Sequence, residues 1–177
     1  SGACFVREPG ILPELLDRFF ASRAEARQRG DEVASYVYKI IMNSFYGVLG
    51  AEGCRFAGSA LAGAVTSLGQ HLLGWCRSLL ERHGLRVLYG DTDSLFVTPD
   101  RASLSADEVL RLVNTELARY CRMHFAVESR LELELDRPYS HFFLPRVRGG
   151  PTARGRAKGY AGRIGSGPDQ GRIEVKG

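Results

Sequence analysis

The chain reads as a mixed protein of helices and antiparallel strands, and three observations say so. Residues 12–29 and 31–49 each carry apolar side chains at helical spacing. Residues 87–97 hold two apolar, β-prone runs separated by Gly90-Asp91-Thr92-Asp93, the composition of a tight hairpin. After them Ser105 and Glu108 form the Ser-x-x-Glu signature that opens another helix.

In the first helix Ile11, Leu12, Leu15, Leu16, Phe19 and Phe20 make the apolar stripe. Pro13 and Glu14 suit its first turn and Gly30 its end. Arg23 and Arg27 lie four apart and share a face. In the second helix Tyr36, Val37, Ile40, Ile41, Ser44, Phe45 and Val48 fall on the side expected to be buried. Lys39, Asn43 and Tyr46 fall opposite, in one stripe with Gly47 beside it. Packing would not choose an aromatic ring, a cation and an amide for a wet face. A nucleotide would, since Lys39 neutralises phosphate, Asn43 hydrogen-bonds and Tyr46 offers a flat wall. The short link between the helices predicts an antiparallel helical hairpin.

A long helix is expected over 59–83, with Leu61, Val65, Leu68, Leu72, Leu73, Trp75, Cys76, Leu79 and Leu80 on its buried side. His71 and Trp75 are assigned to structure. At the hairpin tip, Asp91 and Asp93 crowd one small volume, and two carboxylates so placed repel unless a cation sits between them. Hard oxygen ligands favour Mg²⁺ or Mn²⁺. Taken alone, Asp-Thr-Asp-Ser is better explained as ordinary turn chemistry, and it takes a second motif to reverse that. The capped helix runs to about residue 124. Alternation of Leu131, Leu133 and Leu135 with Glu132, Glu134 and Asp136 predicts a strand with an acidic face. Further strands are expected over 142–147 and 172–176, flanking a basic Gly-rich loop and a turn over 165–171.

Charge is placed unevenly. Residues 146–177 hold eight basic and two acidic side chains, so a net +4 divides into +6 there and −2 before it. An acidic segment beside a basic one suits a protein holding metal ions next to a polyanion. The four cysteines show neither Cys-x-x-Cys nor ligand spacing to a His, which reads as free thiols in a reducing compartment. No apolar run is long enough to span a bilayer.

Two motifs carry a family resemblance. Lys39-Ile40-Ile41-Met42-Asn43-Ser44-Phe45-Tyr46-Gly47 resembles the fingers motif of family B DNA polymerases, Lys-x-x-x-Asn-Ser-x-Tyr-Gly. Tyr89-Gly90-Asp91-Thr92-Asp93-Ser94 resembles the palm motif of that family, and the order and spacing of the pair agree too. Flanking sequence is most similar to the bacterial branch. Lys158-Gly159-Tyr160 resembles in part the Lys-Lys-Arg-Tyr segment that grips the primer end, with Ala157 and Gly159 replacing two basic residues. Arg154 and Arg156 stand nearby to restore that charge.

The resemblance implies an α+β fold, an antiparallel palm sheet backed by helices with an antiparallel helical-hairpin fingers insertion. It implies fingers at 3–50, a palm with the metal-binding hairpin at 51–145, and a basic primer-template-binding end at 146–177. It also implies transfer of deoxynucleotides to a primer 3′-hydroxyl with two Mg²⁺ ions, as in DNA replication and repair. Asp93 would be the leading metal ligand, Asp91 the secondary one and Glu134 a third carboxylate. Arg23, Arg27 and Lys39 would clamp the triphosphate, Asn43, Tyr46 and Gly47 would meet the nucleotide, and Lys158, Tyr160, Arg154 and Arg156 the DNA. Implied partners are primer-template DNA and deoxynucleoside triphosphates, with a processivity clamp reached through other parts of the parent and no membrane. The implied location is the cytoplasm, at the bacterial nucleoid. The family's upstream Asp-x-x-Ser-Leu-Tyr-Pro motif is absent from this sequence, so the chain alone is expected to be inactive. Two other readings fit part of the sequence: a glycosyltransferase using the Asp-Thr-Asp turn for a nucleotide sugar, and a non-catalytic DNA-binding fragment.

Overall fold

The structure is a computed structural model that describes residues 4–6, 8, 10–99, 104–145 and 158–177. In order these form α1 (Ile11–Gln28), α2 (Glu32–Gly50), α3 (Ser59–Arg82), β1 (Leu85–Asp91), β2 (Ser94–Pro99), α4 (Ala106–Phe125), β3 (Tyr139–Phe143), β4 (Tyr160–Ile164) and β5 (Ile173–Lys176). The class is α+β, as expected. The strands form two antiparallel sheets, β1-β2 and β3-β4-β5, in place of one. The chain divides into two compact units at Gln70/His71, within α3. No helix of the described residues is long and apolar enough to cross a membrane.

In the first unit α1 and α2 pack as the expected hairpin. Asp31 caps α2 by accepting the Ala34 N–H at 2.9 Å, a contact worth about 1 kcal/mol. Buried Ala26 and Ser35 flank the link, and their small size lets the helices close. That register brings Tyr38, Met42, Phe45 and buried Leu49 into line with Ser35. Phe19 of α1 meets this stripe, with ring centroids 6.0 Å from Tyr38 and 5.9 Å from Phe45. The expected burial of the other side is therefore corrected. Tyr36, Val37, Ile40, Ile41 and Val48 are exposed, because α2 is apolar on two sides and the short link selects which one meets α1. Phe20 on α1 and Val65 and Leu68 on α3 are exposed as well.

In the second unit Leu72, Cys76, Leu79 and Leu80 of α3 pack with Leu85 of β1 and with Val113, Leu117 and Cys121 of α4. Each leucine so buried contributes roughly 1.5–3 kcal/mol. Burial and the neighbouring Cys121 push the Cys76 thiol up to about 11, so it behaves as an apolar filler. His71 and Trp75 both meet Tyr120 of α4. His71 Nε2 lies 2.8 Å from the Tyr120 hydroxyl, and Trp75 stacks on Tyr120 at 4.5 Å.

The capping box of α4 forms as the sequence predicts. The Ser105 N–H and hydroxyl each donate to Glu108 Oε2 at 2.8 Å, and the Glu108 N–H returns a bond to Ser105 Oγ. Those bonds, the backbone one foremost, hold the Glu108 carboxyl below its ordinary 4.5. The unfolded chain is then the better proton acceptor, so this stabilisation is present above pH 4.5 and fades as pH falls through the folded value. Melting temperature should thus fall more steeply in acid for the native chain than for Glu108→Gln, which takes up no proton. Parallel curves between pH 6 and about 3 would remove Glu108 from the account.

Residues 131–136 form no strand, contrary to expectation. The Asn114 side chain of α4 takes both backbone groups of Leu133, donating to its carbonyl at 3.0 Å and accepting its N–H at 2.8 Å. One side-chain amide does there what a neighbouring strand would do. Leu133 packs against the core, while Leu131 and Leu135 are exposed. The strand expected at 142–147 begins earlier, at Tyr139, and Val147 lies outside the described residues.

Candidate active site

Two carboxylates reach one cavity because of an irregularity in β1. Val87 pairs with Val97 on the face that meets the core, and a bulge then shifts the register at Leu88. Beyond it Tyr89 pairs with Phe96 and Asp91 with Ser94, on the opposite face, while Gly90 opposes core-facing Leu95. A bulge reverses which way the following residues point. A Cβ on Gly90 would lie 3.1 Å from Leu95 Cδ2, so the absent side chain lets the two strands close there.

The turn itself is Thr92-Asp93, with Gly90 inside the strand and not at the bend. The Asp93 N–H donates to the Asp91 carbonyl at 2.6 Å across Thr92, whose φ is 53°. A β-branched residue in that conformation is strained by about 1–3 kcal/mol. The Thr92 hydroxyl donates to Asp91 Oδ1 at 3.2 Å and the Ser94 hydroxyl to the Asp91 carbonyl at 3.1 Å. Among the described residues the exposed Asp93 carboxylate makes no hydrogen bond or ion pair.

A cavity of about 430 Å³ opens here, lined among others by Tyr89, Asp91, Asp93, Lys158, Tyr160 and Lys176. Residues some 70 positions apart in sequence thus line one cavity. The two sheets are joined by rings, since Phe96 of β2 stacks on Phe142 at 4.8 Å and meets Tyr160 edge-on at 5.0 Å. Lys158 takes a φ of 62° and donates its N–H to the Tyr89 hydroxyl at 2.7 Å. The Lys176 ammonium lies 5.8 Å from the centre of the Tyr160 ring and 3.6 Å from Glu174 Oε1. The Tyr160 hydroxyl, with Glu174, holds that ammonium above its ordinary value. Glu174 in turn is held low, first by the Tyr139 hydroxyl at 2.8 Å and then by Arg137 and Lys176. Burial and Glu174 push the Tyr139 phenol up.

The sequence motif includes Tyr89 without giving it a site role, and Lys176 lies outside every motif. A signal for the second existed: the chain has three lysines among 24 basic residues, and two of the three line this cavity. Glu134 lies elsewhere, beside Asp107, Arg111 and Asn114 in a cavity of about 570 Å³ against α4. Arg154 and Arg156 fall outside the described residues. In the first unit Arg27, Lys39, Asn43 and Tyr46 are exposed, and open space surrounds Gly47. Arg23 is half-buried, with its Nε enclosed and, among the described residues, without a hydrogen-bond partner.

Hard oxygen donors on a tight turn fit a divalent cation. Asp91 and Asp93 supply two, and no group of three His, Cys, Asp or Glu able to hold a metal exists among the described residues.

The profile of DNA polymerase family B matches residues 5–147, and the chain belongs to that family. Over 99% of its length it is 37% identical to DNA polymerase II of Escherichia coli (strain K12), covering 23% of that protein. It is 32% identical over 94% of its length to a DNA polymerase of Archaeoglobus fulgidus, covering 19% of it. The DNA polymerase alpha catalytic subunit of Mus musculus is 28% identical over 77% of the chain. The chain therefore spans about a fifth to a quarter of the bacterial and archaeal relatives. These relatives are polymerases, and the glycosyltransferase reading finds no support among them.

Proposed function

We infer that this chain is the nucleotide-transfer segment of a DNA-directed DNA polymerase close to bacterial DNA polymerase II. The observation that carries the reading is the cavity lined both by Asp91 and Asp93 of one motif and by Lys158 and Tyr160 of another. Lys158 gives its ammonium to a phosphate of the primer strand, Tyr160 packs beneath, and Arg154 and Arg156 add charge along the duplex. Residues 3–50 act as fingers, 51–145 as palm and 146–177 as the primer-template-binding end. In the fingers Lys39, Arg23 and Arg27 bind triphosphate, while Asn43, Tyr46 and Gly47 receive the nucleotide.

Asp93 foremost and Asp91 beside it hold the divalent cations that, when bound, acidify the primer hydroxyl and offset charge on the leaving oxygens. Mg²⁺ suits these ligands. The carboxylates also keep the turn open to solvent for an incoming ion, because neither has an ion-pair partner among the described residues.

Binding of the chain to a labelled primer-template tests the reading. The dissociation constant should rise as a power of salt concentration, with an exponent near 0.9 for each phosphate contacted. Asp93→Ala should bind equally well, and the chain alone should not extend the primer. Affinity indifferent to salt would refute duplex binding, and extension lost in Asp93→Ala would refute the expected inactivity.

A further inference from the structure

We propose that Tyr89 is a positioning residue that sets where the Lys158 ammonium stands relative to the Asp91 and Asp93 carboxylates. The inference rests on reading this cavity as the seat of a primer-strand phosphodiester, and it names the device that holds the cation in place.

Lys158 occupies the left-handed region with φ 62°, which an L side chain abandons unless something retains it. What retains it is the phenol of Tyr89, which accepts the Lys158 N–H at 2.7 Å across 69 residues of sequence. Tyr89 is itself fixed. Its ring sits 5.6 Å from its cross-strand partner Phe96, which meets Tyr160 at 5.0 Å, two residues beyond Lys158. Tyr89 also lies two residues before Asp91 on the same strand face, past the bulge. One side chain thus spans from the strand carrying the carboxylates to the turn carrying the cation. Loss of its hydroxyl frees that turn while leaving the ring packing in place. The ammonium then samples more positions, and a phosphate held by it loses register with the carboxylates.

Anisotropy of a labelled primer-template on the 177-residue chain tests this, with Tyr89→Phe, Lys158→Met and the double variant. Lys158→Met should weaken binding about fivefold in low salt, and Tyr89→Phe about threefold. In the Lys158→Met background Tyr89→Phe should add nothing, whereas a purely structural effect would persist there. Amide exchange at Lys158 should also quicken about tenfold in Tyr89→Phe. Weakening by Lys158→Met with none from Tyr89→Phe, or additive losses, would overturn the positioning role and leave the duplex reading standing. No effect of Lys158→Met would overturn both. Unchanged exchange at Lys158 would show that the phenol does not retain the turn.

Discussion

Asp93→Asn is expected to lower primer extension by the full-length polymerase at least a thousandfold, by about 4 kcal/mol of transition-state stabilisation. The substitution keeps shape and removes charge. Because the native carboxylate is exposed and makes no hydrogen bond or ion pair among the described residues, stability should stay within about 0.5 kcal/mol. The loss then belongs to cation binding alone. Electron paramagnetic resonance of Mn²⁺ titrated into the chain should show weaker binding in Asp93→Asn. Asp91→Asn should cost less, since Asp91 already spends one oxygen on the Thr92 hydroxyl. Extension within tenfold of the native rate would end the assignment of Asp93.

Gly162→Ala should destabilise the second unit by about 2–4 kcal/mol, a loss large enough to unfold a marginal domain. A Cβ there would stand 2.5 Å from Cε1 of Tyr139 and closer still to its Cδ1. The ring cannot withdraw without giving up contacts. Its hydroxyl is tied to Glu174 at 2.8 Å, and Phe142 and Phe96 flank it at 5.4 and 6.3 Å. Relief would have to come from the β3-β4 pairing itself, in which Gly162 opposes Phe142. Chemical denaturation of the two chains measures the difference, and a midpoint shift worth less than 1 kcal/mol would mean that the ring moves after all.

Much of the fold was legible because local chemistry decided it. The α4 cap is a four-residue signal, and the α1–α2 hairpin follows from two periodic runs joined by a link too short for anything else. Periodicity failed where an element has two apolar sides. In α2 the packed stripe of Ser35, Tyr38, Met42, Phe45 and Leu49 was set by the neighbour across the link and not by the strongest local pattern. Alternation failed at Leu131 to Leu135 because a strand needs a partner, and Asn114 supplied the hydrogen bonds first. At the cavity the sequence named Asp91, Asp93, Lys158 and Tyr160 by motif. It had no means of placing them around one cavity, since that depends on the bulge at Leu88 and on ring contacts between β2 and β4. Lys176 escaped because a cation at a strand end is unremarkable in a basic segment.

The scarcity of lysine has a practical side. A mild acylating reagent aimed at primary amines finds three side-chain targets in these 177 residues, Lys39, Lys158 and Lys176. Two of those three open onto the same hollow as the aspartates. Covalent labelling with amine chemistry would therefore report almost directly on the hollow, with the arginine-rich remainder of the surface silent.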